Sequence, residues 1–131
     1  MSARRLQGLI VALAGTVLLQ ACETTRDTSA SAYQPLLAGI LATEFGSGLD
    51  GNARTLAART EYRALETGSA GAAVPWKFSD TLSGQVVPQQ PYQVGSANCR
   101  RYVHTILQDG VARSVAATAC RDEQGRWQPL I

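Results

Sequence analysis

Three patterns of apolar and polar residues follow one another along the chain. Near the N-terminus, Leu6 to Leu19 is apolar apart from Gln7, Thr16 and small residues, with Arg4 and Arg5 just ahead of it. From Asp50 to Thr67 the spacing is helical: Ala53, Leu56, Ala57, Thr60 and Ala64 share one face. Arg54, Arg59, Glu61 and Arg63 lie largely on the other. Asp50 is placed to cap this helix by accepting the N–H of Ala53, and Gly68 follows as a residue that tolerates the left-handed conformation at a helix end. From Ala72 onward, short extended runs alternate with turn residues: Val74 to Phe78, Gln85 to Val87, Pro91 to Val94, then Asn98 to Arg121 and Arg126 to Ile131. Pro75 and Pro88 lack ladder donors and belong at strand edges, ends or bulges. The whole predicts an α+β fold, with one amphipathic helix packed on an antiparallel β-meander of four to five strands.

Two segments link these patterns. Glu23 to Gln34 is rich in Ser, Thr and Ala, has no periodicity, and reads as a flexible tether. Pro35 to Phe45 is apolar and predicts a short helix with Pro35 in its first turn. Its Leu36, Leu37, Ile40 and Leu41 need burial, either against the domain or at a lipid interface.

The strand pattern carries a register. Asp109-Gly110 suits a two-residue type I′ turn, in which both residues need positive φ. With that pair as the loop, Gln108 faces Val111 and Leu107 faces Ala112, and the same count brings Cys99 opposite Cys120. The pair closing the turn is hydrogen-bonded and the classes then alternate. Cys99 and Cys120 therefore meet at a non-hydrogen-bonded position, where side chains come closest and a disulfide can close. Beyond them, a four-residue turn from Asp122 to Gly125 places Trp127 opposite Cys120, beside that disulfide.

Arg4, Arg5, the apolar stretch and the small Ala21 have the layout of a secretory signal peptide. Leu19-Gln20-Ala21-Cys22 resembles the lipobox of bacterial lipoproteins. The resemblance implies cleavage before Cys22, a thioether-linked diacylglycerol on its sulfur and an acyl group on its new α-amine. Glu23, rather than Asp, after the lipidated cysteine implies transfer to the outer membrane. Residues 1–21 are then the signal peptide, 22–34 the tether, 35–48 a short apolar segment and 49–131 the domain. No cofactor is expected beyond the covalent lipid on Cys22.

Composition sharpens this division. The 131 residues suffice for one small domain with appendages. The formal charge of +2 comes from the leader, because Arg4 and Arg5 leave with it and the remaining signs balance. Nucleic acid, which calls for a concentrated basic face, is not an expected partner. The 3 cysteines divide into one lipid anchor and one disulfide.

Candidate chemistry is sparse. His104 is the single imidazole and falls between Tyr102 and Ile106 on one strand face, where a histidine at the sheet surface is expected. No nucleophile elbow, C-x-x-C spacing or carboxylate pair stands out, so neither an enzyme nor a metal centre is expected. Arg100, Arg113 and Arg121 share one predicted face of the final strands. They form a candidate contact for an anionic glycolipid or an envelope protein, because guanidinium forks match such groups.

Taken in order, Ala64-Leu65-Glu66, Trp76, Ser83-Gly84, Val87-Pro88, Tyr92, Cys99-Arg100, Tyr102, Gly110, Ala119-Cys120-Arg121 and Gly125-Arg126-Trp127 form a series. It resembles the C-terminal domain of the rickettsial 17 kDa surface-antigen lipoproteins over residues 46–131. That resemblance implies an outer-membrane lipoprotein displayed as a surface antigen, without an established enzymatic activity. Many relatives carry a longer glycine-zipper segment, of which this chain keeps only Gly39, Gly46 and Gly48. The alternative is an envelope binding module, an inhibitor or assembly partner, acting through the disulfide hairpin and its arginines.

Overall fold

The computed structural model describes residues 30–130; the expected signal peptide, Cys22 and most of the expected tether lie outside the described residues. Two helices, α1 (Ala30–Leu37) and α2 (Gly51–Thr67), precede six strands: β1 (Val74–Lys77), β2 (Leu82–Pro88), β3 (Tyr92–Val94), β4 (Ala97–Gln108), β5 (Val111–Arg121) and β6 (Trp127–Leu130). All pairings are antiparallel. The order is β1-β2-β4-β5-β6, with β3 also on β4.

The α+β class holds, and the strand count is corrected from four to five up to six. β4 is long enough to hold two partners end to end on one side. β2 pairs with it from Tyr102 to Gln108, and β3 from Ala97 to Cys99. Pro88 and Pro91 interrupt the run between them, so one long row becomes two strands.

Helix α2 begins as its sequence dictates, with Asp50 Oδ1 accepting from the Ala53 N–H at 2.8 Å. Its small residues Ala53, Ala57 and Ala64 let it lie close to the sheet, over Trp76, Val86, Tyr102 and Ile106. Its C-terminal end differs from expectation. Gly68 is extended (φ −66°, ψ 140°) and not left-handed. Glycine is needed there for space: a Cβ would lie 2.5 Å from the Ala64 carbonyl oxygen and 2.8 Å from Pro88 Cγ.

The apolar segment is also rearranged. The first helix starts at Ala30, inside the stretch read as tether, and Pro35 falls within it rather than in its first turn. After Leu37 the chain makes two 3-10 turns, Ile40–Ala42 and Glu44–Gly46. Thr43 separates them, its hydroxyl accepting from the Phe45 N–H. Tyr33, Leu36, Leu41, Phe45 and Leu49 are all buried in the common core.

The hairpin register is as counted, from Gln108↔Val111 to Cys99↔Cys120. Asp109 and Gly110 have φ of 51° and 79°. Cys99 and Cys120 are disulfide-bonded, with Cα atoms 4.0 Å apart. In the chain-entropy description, closing a loop of this length stabilises by about 3 kcal/mol. A Cys99→Ala/Cys120→Ala variant is expected to lose about that much in urea unfolding, and reductant should then leave its midpoint unchanged. A midpoint equal to the parent's would show that the bond adds nothing.

The return to β6 is off by one residue from the expected pairing. Trp127 pairs with Arg121, and Gln128 takes the place opposite Cys120. Asp122 is the cause. Its backbone N–H donates to the Arg126 carbonyl, and its carboxylate accepts from the N–H groups of Gln124 and Arg126. Bonds from Gln128 and Arg126 hold that carboxyl below the usual range. The loop therefore includes Arg126. A one-residue slip moves every following side chain to the opposite face, and Trp127 enters the core under the helices instead of lying beside the disulfide.

Candidate functional site

The helix-covered sheet face holds a buried polar network. Glu61 projects from α2 at the position one turn beyond Ala57, and His104 from the middle of β4. Both are fully buried. His104 Nδ1 lies 2.7 Å from Glu61 Oε1, and the Trp76 indole N–H donates to His104 Nε2 at 2.9 Å. Tyr102 completes the set, its hydroxyl donating to Glu61 Oε2 at 3.2 Å. Trp76 and Phe45 stand edge-on to the imidazole.

This geometry settles the tautomer. An indole N–H can only donate, so Nε2 must supply a lone pair, and the ring proton sits on Nδ1 facing Glu61. Removal from water pushes the Glu61 carboxyl above its ordinary range, opposed by the bonds from His104 and Tyr102. Burial, then the nearby carboxylate, raises the Tyr102 hydroxyl. A carboxylate–imidazole pair is the arrangement that orients a general base in hydrolases. Here the ring's lone pair is already taken by Trp76, and the network is sealed among apolar side chains. Its hydrogen bonds tie α2 to β1 and β4.

Gly84 makes the arrangement fit. It faces Trp76 across the β1–β2 pair, and a Cβ there would lie 2.5 Å from the indole. The strand and helix patterns predict His104 at the sheet surface and Glu61 on the polar helix face; the structure corrects both by burying them. The available signal was their shared oddity. Glu61 falls in line with Ala53, Ala57 and Ala64, while His104 falls between apolar Tyr102 and Ile106. Each was an exception on its own face, and the faces meet.

The arginines have separate fates. Arg100 is buried, not outward-facing: its Nη1 donates to the carbonyls of Ala64 and Leu65, its Nη2 to Gly68, and its Nε to Gln89. It caps the C-terminal end of α2, where unpaired carbonyls concentrate negative charge. Desolvation lowers its pKa from the usual arginine value. Arg121 donates to Glu66 and to the Gly125 carbonyl and lies 4.4 Å from the centre of the Trp127 ring. Trp127 in turn donates to the same Glu66 oxygen at 2.9 Å. The expected contact is thus corrected at Arg100, because α2 covers that part of the face. Arg113, near the far end of β5, is half-buried and makes no ion pair among the described residues.

On the opposite sheet face, Gln89, Arg101, Val103 and Ala116 border an open depression of about 430 Å³. Cys22, the expected lipid attachment point, lies outside the described residues. Among the described residues, His, Cys, Asp and Glu side chains form no cluster suited to a metal ion.

Comparison with known proteins gives a consistent family. The profile described as 17 kDa outer membrane surface antigen matches residues 63–128, from the second half of α2 into β6. The 17 kDa surface antigen of Rickettsia bellii is 37% identical over 87 residues, which is 65% of this chain and 55% of that protein. That of Rickettsia japonica is 36% identical over 84 residues, 63% of this chain and 53% of the relative. The chain spans about half the length of these relatives. No solved structure matches.

Proposed function

Because the chain belongs to the family of 17 kDa outer membrane surface antigens, we propose that it is an outer-membrane lipoprotein with a structural, surface-antigen role and no catalytic activity. The observation that carries this reading is Leu19-Gln20-Ala21-Cys22 at the end of a basic-then-apolar leader. A diacylglycerol on Cys22 and an acyl group on its amine would tether the domain, since each buried CH₂ adds about 0.8 kcal/mol and a single chain binds only marginally. The disulfide supports export, because such bonds persist in the periplasm and at cell surfaces and are rare in the cytosol. The relatives' name, surface antigen, supports display at the envelope.

The expected result of metabolic labelling with palmitate is a labelled protein in the outer-membrane fraction. Cys22→Ala should abolish the label and hold the protein in its uncleaved form. A label that survives in that variant would place the lipid elsewhere and contradict the anchor.

A further inference from the structure

The unpaired part of the β5 edge is the feature that the fold and the anchor leave without a role. β6 covers β5 only from Thr118 to Arg121, so Val111 to Ala117 has no neighbouring strand on that side among the described residues. The register says which groups face outward. Gln108↔Val111 closes the turn as a hydrogen-bonded pair, and alternation then assigns Ala112, Ser114 and Ala116 to positions not bonded to β4. Their N–H and C=O groups point away from the sheet. Thr105 and Ser114 agree with that assignment: their hydroxyls lie 2.7 Å apart, as the closer class of pair allows.

Natural edges are commonly blunted by proline, charge or bulges. The outermost strands here follow that rule, with Pro75 in β1 and Pro129 in β6. The open part of β5 has no proline, and its register with β4 runs without a bulge. Ala112, Ser114 and Ala116 are exposed and too small to screen the backbone.

We propose that Val111–Ala117 is a docking edge that receives an extended segment of another protein as an added antiparallel strand, with a carboxylate of that segment beside Arg113. Backbone bonding to an exposed edge supplies affinity in this mode, and alternate side chains supply specificity. Arg113 is the one charged side chain in the stretch and has no acidic partner among the described residues, which selects for an acidic residue opposite it. On the other face, Ala116 borders the depression beside Val103 and Arg101. A bulky apolar side chain opposite Ala116 would cross that small residue and fill the depression.

A second copy of this chain fits less well. Pairing β5 with itself about Ser114 would bring the partner's Gly110 turn to the level of Thr118, which Leu130 already occupies. A free extended segment has no such turn.

The probe is a fluorescein-labelled, end-blocked peptide, Val-Phe-Val-Thr-Glu-Thr-Val, which sets Phe opposite Ala116 and Glu opposite Arg113 when antiparallel. With the full-length protein in detergent, saturable anisotropy is expected, together with slowed amide exchange at Ala112, Ser114 and Ala116. Ser114→Pro removes an outward N–H and no backbone bond to β4, though it loses the hydroxyl contact with Thr105, and should weaken binding by at least about tenfold. Arg113→Glu should weaken it similarly and be rescued by a peptide with Lys for Glu. That charge swap also keeps the test decisive if Ser114→Pro lowers the near-ultraviolet circular dichroism of the fold. Lys77→Glu, on the remote strand β1, should change nothing.

Absence of saturable binding would overturn the proposal, as would affinity indifferent to both β5 variants. Slow exchange at the three amides in the free protein would also overturn it, by showing that this chain already covers its own edge. A dimer in light scattering that Ser114→Pro dissolves would make a second copy the occupant and contradict the one proposed.

Discussion

Replacing Arg100 with methionine is expected to cost about 3–5 kcal/mol, a large share of the roughly 5–15 kcal/mol that holds a domain folded. The side chain donates to the carbonyls of Gln89, Ala64, Leu65 and Gly68. Methionine fills much of the volume, so the loss reports the unpaired carbonyls and the missing charge at the α2 terminus rather than a cavity. Lysine should rescue only part of it, because one ammonium cannot reach acceptors on two sides as a planar fork does. Urea midpoints with unchanged m-values would measure this. A methionine variant as stable as the parent would mean that Arg100 does not hold α2 against β4.

Glu61→Ala is expected to be similarly damaging, by about 3–5 kcal/mol, because it opens a cavity and strands the His104 Nδ1–H and the Tyr102 hydroxyl. Glu61→Gln separates charge from bonding. Its amide oxygen can accept from His104, and its NH₂ can donate to Tyr102. The Glu61 pKa is raised in the folded state. The folded protein therefore holds that proton more tightly than the unfolded chain. The resulting stabilisation is fully present below the unfolded carboxyl value of about 4.3 and is lost as pH rises through the folded one. Measured against pH, the parent should lose stability relative to Glu61→Gln on moving upward from that value. A difference that is constant with pH would show that the carboxyl titrates alike in both states.

What was legible in the sequence was local or symmetric. Asp50 and its N–H partner are three residues apart, and the Asp109-Gly110 turn brings Cys99 to Cys120 by counting alone. The β5–β6 turn resisted the same count because the Asp122 carboxylate draws Arg126 into the loop, and nothing in the spacing weighs that bond against a shorter turn. Strand alternation correctly put Arg100 and Arg121 on one face. It could not say that α2 lies across that face, and a buried arginine capping a helix reads in sequence like a solvated one. Glu61 and His104 are hidden for a related reason. Each looks misplaced until tertiary packing brings two distant segments together, and only the pair makes the burial of either reasonable.

The prolines show the same limit from another side. Pro88 and Pro91 mark a break, yet only the length of β4 shows that both flanking strands pair along one row. Pro35 suggested the first turn of a helix; the burial of Tyr33 and Leu36 extends that helix upstream.

Intact-mass spectrometry of protein isolated from membranes reads export and lipid anchoring at Cys22 together. The expected species begins at Cys22, carries diacylglyceryl and N-acyl mass on that residue, and keeps Cys99 and Cys120 joined. A chain that retains Met1, or one that is cleaved elsewhere and bears a free Cys22 thiol, would rule out the anchor.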